Sequence, residues 1–199
     1  MYVIKRNGVK APIIRDKIVA RVRKLYYNLH ILDSSIDKAI DDIMNHLESG
    51  IHTRSIDQLL AKSIAEKSEN DEALMTLAAR IEASNLHKET TKRFSTVYNM
   101  IYENQREHQL IISEQEHQFV KINQDELDSA IISDRDFRLP YSTLIKEEES
   151  TLYKIDGKIV ERPSHRYMRL AISNTLAKVS TPHTLESVLQ AYDELSLHY

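Results

Sequence analysis

Val3-Ile4-Lys5-Arg6-Asn7-Gly8-Val9-Lys10-Ala11-Pro12-Ile13-Ile14, followed by Arg15-Asp16-Lys17-Ile18-Val19-Ala20-Arg21-Val22, sets two periodicities side by side. Val3 to Arg6 and Val9 to Ile14 flank Asn7-Gly8, the strongest short hairpin signal, because a two-residue turn of that type needs positive φ at both central positions. Asp16 is an N-cap candidate. After it Ile18, Val19, Val22, Leu25, Tyr26 and Leu29 recur at helical spacing as one apolar stripe. The same form returns downstream. Asp33-Ser34-Ser35 starts a helix with Ile36, Ala39, Ile40, Ile43, Met44 and Leu47 inward, and Gly50 is placed to end it. Ser55 and Gln58 form a Ser-x-x-Gln capping box for a third helix lined by Ile56, Leu59, Leu60 and Ile64. A fourth runs from about Asp71 with Leu74, Leu77, Ala78, Ile81 and Leu86 inward, and its pattern resumes through Phe94, Val97 and Ile101 after a break.

The expected fold is therefore mainly α: a small β-hairpin cap on a four-helix bundle, followed by a mostly helical segment with a second short hairpin. Residues 1–92 form the first domain and 93–121 a helix end and linker, polar from Asn104 to Gln109 and from Glu114 to Gln118. Residues 122–199 form the second segment. In it, a short helix spans Asp125 to Ile131 and a turn lies at Ser133-Asp134-Arg135-Asp136. Leu152 to Ile155, Asp156-Gly157 and Lys158 to Glu161 read as a hairpin. Pro163 stops its second strand, and Ser164 starts a helix carrying Tyr167, Met168, Leu170 and Ala171. The last helix, from about Thr184, is amphipathic through Leu185, Val188, Leu189, Tyr192 and Leu195 and runs to Tyr199 without a stop signal, so the chain reads as cut.

Composition narrows the chemistry. With no cysteine there is no disulfide, thiolate metal site, Cys nucleophile or thiyl radical. No apolar run approaches the roughly 18 residues of a membrane span, and the start lacks a signal-peptide core; the expected setting is cytoplasmic, with no membrane partner. The nine histidines have no ligand spacing, so no metal is expected. Glu147-Glu148-Glu149 reads as a solvated face. Residues 1–24 carry eight basic side chains against Asp16 alone, a local +7 that leaves −10 for the remainder of a chain at −3. A basic head on an acidic body points to a local anion site more than to nucleic acid, which is not expected as a partner.

That site assembles at the hairpin end of the bundle. Lys5 and Arg6 are adjacent on the first strand; Thr53 and Asp57 bracket the start of the third helix, where backbone N–H groups and the positive dipole end favour phosphate. Lys88 lies at the far end of the fourth helix, which returns it to the same end. Cations, a hydroxyl and helix-terminal amides suit a triphosphate, while Asp57 accepts hydrogen bonds from a sugar or a cation. The blander reading is solvated cations and ordinary caps, and neither Gly-x-x-x-x-Gly-Lys-Ser/Thr nor Gly-x-Gly-x-x-Gly is present.

At these residues a resemblance becomes specific. Val3-Ile4-Lys5-Arg6-Asn7-Gly8 with Asp16-Lys17-Ile18 is similar to the opening of the ATP cone of class I ribonucleotide reductase large subunits. Leu77-Ala78-Ala79-Arg80-Ile81-Glu82-Ala83-Ser84-Asn85-Leu86-His87-Lys88-Glu89-Thr90 resembles the end of that domain. Leu127-Asp128-Ser129-Ala130-Ile131-Ile132, Asp134-Arg135-Asp136-Phe137, Tyr153-Lys154-Ile155-Asp156-Gly157-Lys158, Val160-Glu161-Arg162-Pro163 and Met168-Arg169 resemble the entry to the family's catalytic region.

The resemblance implies an activity-regulating site that takes ATP or dATP, with or without Mg2+, at Lys5, Arg6, Asp16, Lys17, Thr53, Asp57 and Lys88. It implies no catalytic residue or catalytic cofactor in this chain. The implied partners are the remainder of the large subunit or other large subunits, reached through the cone, and the small radical-bearing subunit only if a longer chain exists. The implied role is regulation of deoxyribonucleotide synthesis, with no reduction by these 199 residues alone because they lack cysteine. Four departures stand against the pattern. Ala11-Pro12 replaces a Glu-Arg pair, removing a carboxylate contact and an N–H from the second strand. A few residues are missing between Asn104 and Leu110, Leu139 to Thr151 fits poorly, and the chain ends before the catalytic barrel. The alternative is a cone that packs with reductase subunits without binding nucleotide. A zinc-ribbon regulator is excluded by the lack of cysteine.

Overall fold

Three short strands open the computed structural model, which describes residues 1–69, 71–105, 110–178 and 184–197. Strand β1 (Tyr2–Ile4) pairs antiparallel with β2 (Lys10–Pro12) and parallel with β3 (Ile51–His52), in the order β2-β1-β3. The expected hairpin is present, but its turn differs. Gly8 N donates to Lys5 O (2.8 Å), Lys5 N donates to Val9 O (2.9 Å), and of the two central residues expected only Gly8 has positive φ, at 78°. The turn is thus centred on Arg6-Asn7, with Gly8 following in the left-handed region. Arg6 lies in the turn and not on the strand.

Pro12 costs β2 no hydrogen bond. Its partner Tyr2 directs its backbone toward β3, donating to Ser49 Oγ (3.2 Å) and accepting from Gly50 N (2.8 Å). Tyr2–Pro12 is therefore a non-hydrogen-bonded pair, and the missing N–H falls on the outer edge. Gly50, at φ 93°, serves this turn into β3 and not the end of the preceding helix.

The first of two compact units comprises Met1–Leu86 and Phe137–Ile145. Its helices α1 (Arg15–Arg23), α2 (Asp33–His46), α3 (Thr53–Glu66) and α4 (Glu72–Glu89, shared with the second unit from His87) bury the expected stripes, except that α1 ends at Arg23 and Leu25, Tyr26 and Leu29 pack against the same core from beyond the helix. Ile18, Val22, Ile36, Ile40, Ile43, Ile56, Leu60, Ile64, Leu77 and Ile81 share one core. Each such side chain contributes about 1.5–3 kcal/mol by leaving water. Leu59, expected inward, is 45% exposed, because its neighbour Leu60 takes the core-facing position. The expected caps differ as well. Asp16 lies inside the first turn of α1, after Ile14 as N-cap. Leu32 precedes α2, and α3 begins two residues before Ser55, with His52 as N-cap and no side-chain cap. Parallel pairing of β3 with β1 delivers the chain directly into α3 and removes the need for the Ser55 box.

The second unit comprises His87–Asp136 and the described residues from Lys146 onward. It contains α5 (Phe94–Asn104), α6 (Glu114–Ile122), α7 (Gln124–Ala130), the first four residues of a 3-10 turn (Ser133–Arg138), α9 (Pro163–Leu176) and α10 (Leu185–Leu197). The short α8 (Tyr141–Lys146) spans the division and leads into a π turn (Glu147–Thr151). Phe94, Val97, Tyr98, Ile101, Val120, Leu127, Tyr167, Met168, Val188 and Tyr192 share the second core. Strands β4 (Lys154–Ile155) and β5 (Lys158–Ile159) form the expected hairpin, with φ positive at both Asp156 (50°) and Gly157 (75°).

Three expectations change here. Part of the expected linker is helical: Ser113 accepts from Glu116 N while Glu116 accepts from Ser113 N, a reciprocal box that starts α6. Residues 106–109 of that linker, and the expected course of the last helix at 198–199, lie outside the described residues. Pro163 stops no strand, since β5 has already ended at Ile159; it is the first residue of α9, where its missing N–H has no helical partner to lose. Glu147 and Glu148 are buried, not solvated: Glu147 accepts from Arg166 Nη1 (3.1 Å) and from Thr151 Oγ1 (2.6 Å). Among the described residues, no helix is long and apolar enough to cross a membrane.

Candidate functional site

Within the first unit, four elements send polar side chains to one point. The centre is Asp57, in the second turn of α3 and 3% exposed. From the hairpin turn, Arg6 Nη2 lies 3.4 Å from Asp57 Oδ2; from α1, Arg21 Nη1 donates to Asp57 Oδ1. The same Arg6 nitrogen donates to Asn85 Oδ1 on α4 at 2.6 Å. One helical turn earlier on α4, the Glu82 carboxyl accepts from Asn85 Nδ2 at 3.2 Å. The result is a continuous chain of contacts, Arg21–Asp57–Arg6–Asn85–Glu82.

Burial grades this cluster from inside to outside. Asp57, Glu82 and Asn85 are almost wholly enclosed, whereas the Arg6 and Arg21 side chains keep 27% and 30% of their surface. A carboxylate below and two guanidiniums above present a positive surface anchored by an internal negative charge. Burial pushes the Glu82 carboxyl above the usual carboxylate range, opposed by the hydrogen bond from Asn85, while the Asp57 charge raises it further and Arg54 lowers it.

Of the residues expected from the sequence, Arg6 and Asp57 are in contact. Lys5, exposed, follows Ile4, and Thr53 follows His52; Ile4 and His52 are register partners, so the two residues leave the β1–β3 ladder side by side. Thr53 opens α3, whose own first turn contains no acidic residue to complement the positive end of the dipole. Asp16 and Lys17 are exposed in the first turn of α1, and Lys17 is one turn before Arg21 on the same helical face. Lys88 is exposed, three residues after Asn85 along α4, and falls in the second unit. Arg21, Glu82 and Asn85 were not among the expected residues. The available signal was on α4, where polar Glu82 and Asn85 stand at core-facing spacing from Ala78 and Ile81.

Elsewhere the described residues offer less. A cavity of about 680 Å³ in the second unit, beside Asn104, Tyr153, Lys154 and Asp156, has no comparable convergence of cations. No group of three or more His, Cys, Asp or Glu side chains suited to a metal occurs among the described residues.

Comparison with known proteins places this cluster in context. The family model described as the ATP cone domain matches residues 1–89. The chain is 38% identical over its full length to the ribonucleoside-diphosphate reductase large chain 2 of Saccharomyces cerevisiae, of which it covers 23%. It is 40% identical over 86% of its length to the large subunit of that reductase from Vaccinia virus, covering 23% of it. Against the large chain from Cryptosporidium parvum the identity is 34% over the whole chain, covering 24% of that relative. The chain thus spans about a quarter of the length of these relatives.

Proposed function

We propose, for a chain that belongs with the N-terminal part of the ribonucleoside-diphosphate reductase large subunits and carries their ATP cone, that the Arg6–Asp57 cluster is the heart of a site sensing ATP and dATP. The observation that carries this reading is the pair of partly exposed guanidiniums held over a buried carboxylate, beside the start of a helix without acidic residues in its first turn. In this reading Lys5, Arg6 and Lys17 meet the phosphates, Thr53 adds a hydroxyl and the amides of the α3 start, and Asp16 and Asp57 orient sugar or cationic groups. Mg2+ accompanies the triphosphate as its counter-ion.

The function that follows is regulatory. Nucleotide occupancy adjusts how the cone packs with other large subunits and so sets the rate of deoxyribonucleotide synthesis, in a cytoplasmic enzyme that also uses a small radical-bearing subunit. Reduction itself relies on cysteines outside these 199 residues, which contain none. The second reading, a cone that packs without binding nucleotide, is favoured by Ala11, which offers no polar group to a ligand from β2. Thermal unfolding with increasing ATP or dATP separates the two. A binder at one hundred times its dissociation constant gains about 2.7 kcal/mol, whereas a midpoint unmoved by either nucleotide overturns the sensing role.

A further inference from the structure

We propose that Glu82 is a positioning residue for Arg6, acting through the side-chain amide of Asn85. This rests on the reading that Arg6 meets the nucleotide phosphates. The argument starts from donor and acceptor inventories. A guanidinium has only donors and an ionised carboxylate only acceptors, whereas an asparagine amide has one end of each kind and can be turned over. Asn85 stands between the two: its Oδ1 accepts from Arg6 at 2.6 Å and its Nδ2 donates to Glu82 at 3.2 Å. Turned over, it would set Nδ2 against guanidinium N–H groups and Oδ1 against the carboxyl, losing the bond to Arg6 whatever the charge on Glu82, and the bond to Glu82 while that group is ionised. Glu82 therefore selects the orientation of Asn85, and Asn85 presents an acceptor to Arg6.

Placement supports this role. Glu82 and Asn85 are each 2% exposed and three residues apart on α4, so neither has solvent as an alternative partner and helix geometry keeps them adjacent. Arg6 sits on a hairpin turn, with a long side chain that solvent reaches. Held from two sides, by Asp57 and by Asn85, its guanidinium is oriented before a ligand arrives. Less side-chain freedom then remains to be lost on binding, which favours affinity.

The test measures ATP and adenosine affinity by calorimetry on the 199-residue chain and its variants Glu82→Gln, Asn85→Leu and the double variant. Glutamine keeps the size of Glu82 but offers both amide ends, so it no longer selects. The expected result is a loss of ATP affinity of about 10-fold in each single variant, the scale of one charge-assisted hydrogen bond. Adenosine affinity stays unchanged, and Glu82→Gln causes no further loss in the Asn85→Leu background. Equal losses for ATP and adenosine, or additive losses in the double variant, would overturn the positioning role. So would single variants that keep the full preference for ATP. A wild-type chain that binds no nucleotide would instead overturn the sensing role itself, and this inference with it. If the variants fail to fold, nuclear Overhauser contacts in the wild type decide: the Asn85 Nδ2 protons must lie near the Glu82 side chain, and contact with Arg6 instead refutes the orientation.

Discussion

Asp57 and His165 show two ways in which this chain encloses a titratable side chain. Asp57 is paired with opposite charge, with Arg6 and Arg21 both within ion-pair reach, so its enclosure is compensated. His165 is fully enclosed in the second unit, its ring 6.0 Å from Phe94, and neither ring nitrogen makes a well-formed hydrogen bond among the described residues. Burial, reinforced by the positive charge of Arg162, pushes its pKa down to about 3, against smaller opposing pulls from the Lys92 backbone and the Asp128 charge. An unfolded histidine takes up its proton near pH 6.5, while the folded one resists until about pH 3. Between those values the unfolded state binds more protons, so stability falls as the pH falls, by up to about 1.4 kcal/mol per pH unit. Above pH 6.5 the group adds no pH dependence. His165→Leu should therefore flatten the decline in urea midpoint between pH 6.5 and 5, and an unchanged slope would refute this account.

Among the elements, α4 has its C-terminal end held by side chains from much later in the chain. Arg162 donates to His87 O (3.0 Å), to Thr90 O (2.9 Å) and to Thr90 Oγ1 (2.8 Å). Beside it, Asp136 accepts from Ser164 N (2.8 Å) and pairs with His87 Nε2 (2.7 Å). A cation at carbonyls of a helix C-terminus satisfies orphan acceptors and complements the dipole. Arg162→Met keeps the length of the stem but leaves these partly buried carbonyls unpaired, and should cost about 2–4 kcal/mol in denaturant unfolding; a loss below about 0.5 kcal/mol would mean that water replaces the guanidinium. None of this was visible locally, because Arg162 and Thr90 are 72 residues apart. The same holds for the candidate site, where 79 residues separate Arg6 from Asn85. The sequence did reveal the amphipathic stripes of α1 to α4 and both hairpins, whose signals lie within single turns of chain. It concealed β3, too short at two residues to show alternation. It also concealed α6, whose polar first half carries no stripe and is started by the Ser113–Glu116 box. Arg6 and Asp57 were legible beside the turn and the helix start, but Arg21 was one cation among eight in a basic head.

At the scale of the whole molecule, the chain encloses two separate cores, one built around α1 to α4 and the other around α5, α9 and α10. The proposed nucleotide site draws its central contacts from the first: Arg6, Arg21, Asp57, Glu82 and Asn85 all precede His87, where the second unit begins. Binding stabilises whatever must be intact for the site to exist, and local opening of each cooperative region has its own free energy. Hydrogen exchange should therefore slow with saturating ATP at the backbone amides of the hairpin, α1 and α3. The amides of α9 and α10, whose partners lie within the second unit, should exchange at their original rates. Slowing of at least tenfold in α3, the amount that corresponds to about 1.4 kcal/mol, with none in α10, is the expected pattern. Equal slowing in both would mean that nucleotide stabilises the chain as one cooperative body, and the assignment of the effect to the first unit would have to be abandoned.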